Sequence, residues 1–90
     1  MDKIKIIDTF IADNKLEDAV RALGELITET PDSDDLYFRR GKLRWRLGDR
    51  SGAMGDYAKA SELNPESPAV KALEQAYDVA NFFNPDLYNP

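Results

Sequence analysis

One short phrase recurs at a fixed distance along the chain. Pro31-Asp32-Ser33 returns 34 residues later as Pro65-Glu66-Ser67. The residues before each phrase keep step: Ala19 answers to Ala53, Leu23 to Tyr57 and Leu26 to Ala60. A unit of this length is one supersecondary element, unable to bury an apolar face alone and therefore obliged to stack on its neighbours. Apolar spacing identifies the element as helical. Leu16, Ala19, Val20, Leu23, Leu26 and Ile27 form one stripe, and Ile4, Ile7 and Ile11 form another, with Ile6 and Phe10 beside them. Leu36, Leu43 and Leu47, then Ala53, Met54, Tyr57, Ala60 and Leu63, then Val70, Leu73, Ala76, Tyr77 and Ala80 give three more.

The breaks between the stripes carry the chemistry of helix ends. Asp13-Asn14 separates the first two, and Gly48-Asp49 separates the third from the fourth, glycine being suited to the left-handed turn that ends a helix. Ser33 before Asp34 and Asp35 reads as a helix start, with acids near the positive end of the helix. Ser67-Pro68 reads as another, because proline in the first turn lacks only an N–H that had no partner there. Asn84-Pro85 closes the fifth helix. The expected architecture is all-α, five helices joined by short turns, in a single domain spanning residues 1–90.

A helix–turn–helix unit with this period resembles the tetratricopeptide repeat. The run LGDRSGAMGDYAKASELNP carries most of the resemblance, with Tyr37, Gly41, Ala53, Tyr57, Ala60 and Pro65 at the family's positions. The first copy keeps Ala19, Leu23 and Pro31, while Ile6, Ile7 and Phe10 replace its Leu-Gly and Tyr positions. The resemblance implies repeat one at 1–33, repeat two at 34–67, a capping helix at 68–83 and an aromatic tail at 84–90, stacked as a right-handed superhelix. Arg40 and Arg44 depart from the pattern, standing where the family has Leu and Tyr. A buried guanidinium needs a partner. The cap carries Glu74 and Asp78 at the same offset of 34, so the expected pairs are Arg40–Glu74 and Arg44–Asp78.

FRRGKLRWRLGDR, residues 38–50, holds Arg39, Arg40, Lys42, Arg44, Arg46 and Arg50, half of the twelve Lys and Arg in a chain of net charge -5. On a helix these cations divide. Arg40 and Arg44 share one side; Arg39, Lys42 and Arg46 cluster on another, at i, i+3 and i+7, beside Phe38 and Trp45. The resemblance implies that the first helices of successive repeats line a concave groove. Phe38, Arg39, Lys42, Trp45 and Arg46 match its groove-facing positions, with Ile4, Lys5, Asp8, Ile11 and Ala12 from repeat one. The cap would add Ala69, Ala72, Leu73, Ala76, Val79 and Ala80. Such a groove suits a peptide with apolar anchors and acidic groups. Ile4, Asp8, Ala69 and Leu73 stand where members that bind chaperone tails have Lys, Asn, Lys and Arg, so that ligand is not expected. The plainer alternative is that Phe38 and Trp45 pack while the cations solvate a face.

Composition narrows the function classes. With no Cys and no His, disulfides, thiolate or imidazole metal sites and nucleophile–His catalysis are excluded. No cofactor and no small-molecule substrate are expected, and the chain is not expected to be an enzyme. MDKIKIIDTF has too short an apolar run for a signal peptide, and no stretch is long enough to span a bilayer. The expectations are a cytoplasmic location and no membrane partner. DSDD, residues 32–35, lacks the Gly and Glu of a calcium loop, and Gly48, Gly52 and Gly55 lack the Lys of a phosphate loop. Asp56 and Glu62 read as ordinary solvated carboxylates. Phe82, Phe83, Leu87 and Tyr88 put four large apolar groups near the chain end, to fold back on the cap or to touch another copy.

The expected role is that of a protein-binding adaptor or scaffold. Two rivals stay open. One is a homodimerising assembly protein, against a monomer or weak homodimer for the adaptor. The other is single-stranded nucleic-acid binding through the basic third helix, which the acidic balance disfavours.

Overall fold

The computed structural model describes residues 2–82 of the chain. Five helices follow one another: α1 (Lys3–Ala12), α2 (Leu16–Glu29), α3 (Asp34–Arg46), α4 (Arg50–Leu63) and α5 (Ala69–Phe82). No strand occurs among the described residues.

Local chemistry sets the boundaries. The carboxylate of Asp2 accepts the Ile4 N–H at 3.0 Å, and the Ser33 hydroxyl accepts the Leu36 N–H at 3.3 Å. Asp49 accepts the Gly52 N–H at 2.9 Å, and Ser67 accepts the Ala69 N–H at 3.1 Å. Each satisfies a donor that the first helical turn leaves unpaired. After α1 and α3 the backbone crosses into the left-handed region, at Asn14 (φ 59°) and Gly48 (φ 86°), which Asn and Gly tolerate best.

Packing runs mainly between consecutive helices, α1 on α2, α2 on α3, α3 on α4 and α4 on α5. The molecule is long and thin, 55 × 28 × 17 Å, with a radius of gyration of 14.3 Å. A compact domain of this length would have about 12 Å. The core divides accordingly. Ile7, Leu16, Ala19, Leu23, Ile27, Leu36 and Leu43 bury one cluster between α1, α2 and α3. Ala53, Tyr57, Ala60 and Ala69 bury a second between α4 and α5, with Phe38 and Trp45 packed on it and Tyr37 touching both clusters. Between α3 and α4 the approach is close at Gly41, where a Cβ would stand 2.7 Å from Cε1 of Tyr57. Among the described residues no helix is long and apolar enough to cross a membrane.

Helix α5 turns a different face inward than α3 does. Among the described side chains of α5 the buried ones are Ala69 and Ala76, whereas their counterparts 34 residues earlier, Asp35 and Lys42, are exposed. The charges at Glu74 and Asp78 explain this: both are exposed, and the alanine stripe packs instead. Ala69, expected to line a groove, lies in the second core. Phe83, Leu87 and Tyr88 lie outside the described residues, as do the side chains of Ala80 and Phe82.

Candidate functional site

Helix α3 lies between two hollows. The first, about 260 Å³, opens between α1 and α3. Its floor is aliphatic, from Ile7 and Ile11 of α1, Leu23 of α2 and Leu43 of α3, and Arg39, Lys42 and Arg46 rim it. Among the described residues no carboxylate lines it. The spacing of the three cations explains their convergence, since residues three, four and seven apart share a helix face. Nε of Arg39 donates to Asp35 at 2.7 Å, an exposed pair one turn apart. Nζ of Lys42 stands 4.9 Å from the Phe38 ring centroid, within cation–π range.

The second hollow, about 250 Å³, opens between α3 and α5. Trp45 and Tyr57 wall one side; Ala72, Gln75, Ala76 and Val79 form the other. Among the described residues no charged side chain lines it. Trp45 is half-buried, with the Arg50 guanidinium 5.2 Å from its ring centroid.

Of the residues expected to face the groove, the fold brings Ile11, Arg39, Lys42 and Arg46 into one hollow and Trp45, Ala72, Ala76 and Val79 into the other. Others stand apart. Ile4 packs against the first core, Lys5, Asp8 and Ala12 are exposed, Leu73 packs on the second core, and Phe38 leans on Tyr57 with ring centroids 5.9 Å apart. Ile7, Leu23, Leu43, Tyr57 and Gln75 were not foreseen as lining. The first three are core positions, and only their place at the foot of the hollow makes them part of it.

The ion pairs differ from expectation. Arg40 and Arg44 do not reach Glu74 and Asp78; both turn to Asp56 of α4. Arg40 grips it with two parallel bonds, Nε to Oδ2 at 2.9 Å and Nη2 to Oδ1 at 2.8 Å, while Nη1 of Arg44 reaches Oδ2 at 3.2 Å. The Asp56 side chain is only 5% exposed, against 18% and 28% for the two arginines. It is therefore no solvated surface group. Asp49 stands 3.9 Å from Arg44 on its outer side. Burial pushes the neighbouring Tyr57 hydroxyl above its ordinary value near 10, and the negative Asp56 adds to the push. A signal for this cluster lay in the 34-residue offset: Arg40, Arg44 and Asp56 stand where repeat one has Ile6, Phe10 and Ala22. Three apolar positions become charged together, with signs that cancel in part.

Ile6, Phe10 and Ala22 line a third hollow, of about 330 Å³, between α1 and α2. Charges of both signs rim it; Lys3 pairs with Glu29 at 2.6 Å and Arg21 with Asp18 at 3.2 Å. Among the described residues no group of acids could hold a metal ion.

Fold and surface thus define an elongated all-helical protein whose central helix carries a cation-rimmed hollow on one flank and an uncharged one on the other. It is similar to a Bacteroides fragilis protein whose structure was solved in solution by NMR. The two are 39% identical, with a TM-score of 0.81 over 99% of this chain and 91% of the other. At that identity over nearly the whole of both, the chain belongs to the same family as the Bacteroides fragilis protein. No family model and no curated protein matches it.

Proposed function

We propose that the chain is a two-repeat tetratricopeptide-like stack closed by α5, and that it serves as a protein-interaction module taking an acidic peptide segment with apolar anchors along α1, α3 and α5. The 34-residue offset, the packing of each helix on its chain neighbours and the elongated outline support the stack. The observation that carries the binding role is the meeting of Arg39, Lys42 and Arg46 over the floor of Ile7, Ile11, Leu23 and Leu43. Trp and Arg are among the residues that most often dominate interface energies. Complementary charge would speed encounter and select partners more than add affinity.

The test is affinity capture from a native lysate with the wild type and with Trp45→Ala/Arg46→Glu. A partner retained by the first and lost by the second supports the site; the same catch from both removes it. Self-association is the rival that a specific observation favours, because Tyr77 of α5 is 52% exposed. Light scattering across a range of concentrations separates a monomeric module from a dimer. Nucleic acid is disfavoured by the charge arrangement as well as by the net charge. Of the six cations in residues 38–50, Arg39, Arg40 and Arg44 already face carboxylates of the chain.

A further inference from the structure

The two hollows differ in chemistry, and one helix separates them, so a ligand that fills both is constrained in composition and in spacing. The α1/α3 hollow pairs an aliphatic floor with three cations and, among the described residues, no acid in its lining. In a chain of net charge -5 this is a local inversion of sign, complementary to carboxylates. Asp35 is no fixed occupant of it: the Asp35–Arg39 pair is exposed, and such pairs are worth little. A ligand carboxylate can therefore replace it on Arg39. The α3/α5 hollow offers the Trp45 face, the Tyr57 ring, three small apolar residues and one neutral amide, Gln75. The described lining is uncharged and largely apolar, so it favours an uncharged occupant.

Between the two stands α3, about 10 Å across with its side chains. An extended chain advances roughly 3.3 Å per residue, so crossing α3 takes three or four residues. We propose that the groove reads a two-anchor segment: an aliphatic residue flanked by carboxylates in the α1/α3 hollow, and an uncharged aromatic or aliphatic residue three or four positions away in the α3/α5 hollow. This rests on the reading of the chain as a peptide-binding module and adds to it the order and separation of the anchors.

The probes are synthetic peptides of stated sequence without tryptophan. The first is acetyl-Asp-Leu-Asp-Ser-Ser-Phe-Ser-amide, made also in reverse order because the chain direction of the ligand is left open. The others place Phe one or eight residues from Leu, or replace both Asp by Lys. Binding is read by calorimetry and by the fluorescence of Trp45, the chain's one tryptophan. The expected result is tightest binding at the four-residue separation in one of the two directions. Charge reversal of the peptide, or displacement of Phe to one or eight residues, should weaken it about tenfold or more. Arg46→Glu should abolish the preference for Asp over Lys, and Gln75→Glu should abolish the benefit of Phe. Both replaced side chains are exposed, so the variants should fold, and circular dichroism checks that they do. If no peptide binds the wild type, the peptide-binding reading itself falls. If peptides bind with no dependence on charge or separation, or bind both variants as they bind the wild type, the two-anchor inference falls and the broader reading stands.

Discussion

At the scale of single residues, Asp56 is the group on which most depends. It is nearly dry and held by two guanidiniums from the facing helix. Removing one member of such a cluster leaves like charges stranded without their counter-ion, at a cost of about 3–5 kcal/mol. Asp56→Ala is therefore expected to lower the free energy of urea unfolding by about 3 kcal/mol, a large part of the stability of so small a protein. The control is supplied by the chain itself. Arg40→Ile, Arg44→Phe and Asp56→Ala made together install the residues of repeat one, and the triple variant is expected to recover most of the loss, since apolar replacement of a whole buried ion cluster is often neutral or stabilising. A triple variant as weak as Asp56→Ala alone would mean that the cluster fixes the α3–α4 geometry in a way that apolar contact does not. This pairing was not legible one residue at a time. Asp56 looks like any acid on a polar helix face, and only three-dimensional placement buries it beneath two arginines that are themselves far apart from it in sequence.

At the scale of helices, what the sequence disclosed and what it withheld have one physical origin. Helix ends are local: Asp2, Ser33, Asp49 and Ser67 each bond a backbone N–H two or three residues ahead, so the boundaries could be read from neighbouring letters. The orientation of a helix is not local. Extending the 34-residue offset to α5 assumed that the cap keeps the face of α3, and that assumption placed Glu74 and Asp78 opposite the arginines. Helix α5 has no helix beyond it among the described residues and follows its own alanine stripe. Glu74→Ala/Asp78→Ala is accordingly expected to leave the melting temperature within about 3 °C of wild type, as is usual for exposed positions. Ala76→Arg, at a position 2% exposed, is expected to cost about 1–3 kcal/mol, because it sets a guanidinium among uncharged groups. Far-UV circular dichroism during melting reports both. The hollows show the same division: the cation triad was visible as an i, i+3, i+7 pattern, whereas the floor beneath it, Ile7, Leu23 and Leu43, comes from three helices and is joined only by folding.

At the scale of the whole molecule, two small cores in series replace one central core, and stability should be distributed along the row of helices. Helices α1 and α5 each rest extensively on a single neighbour, α2 and α4, while the three inner helices rest on two. Hydrogen exchange is expected to show amides of α1 and α5 opening about tenfold or more faster than those of α2 to α4, through fraying that leaves the centre folded. Uniform protection across all five helices would indicate one cooperative unit instead. The Arg40–Asp56–Arg44 cluster also gives the row a direction. Its strength comes from being covered: Gly24 of α2 comes close enough that a Cβ there would lie 3.6 Å from Nη1 of Arg40. The equivalent positions of repeat one, Ile6, Phe10 and Ala22, border the hollow on the side of α1 and α2. Transposing the units would carry a tightly held salt bridge to an outer margin, where water weakens it, and drop greasy residues into a slot shaped for guanidinium. The two helix pairs look alike on paper yet are not interchangeable.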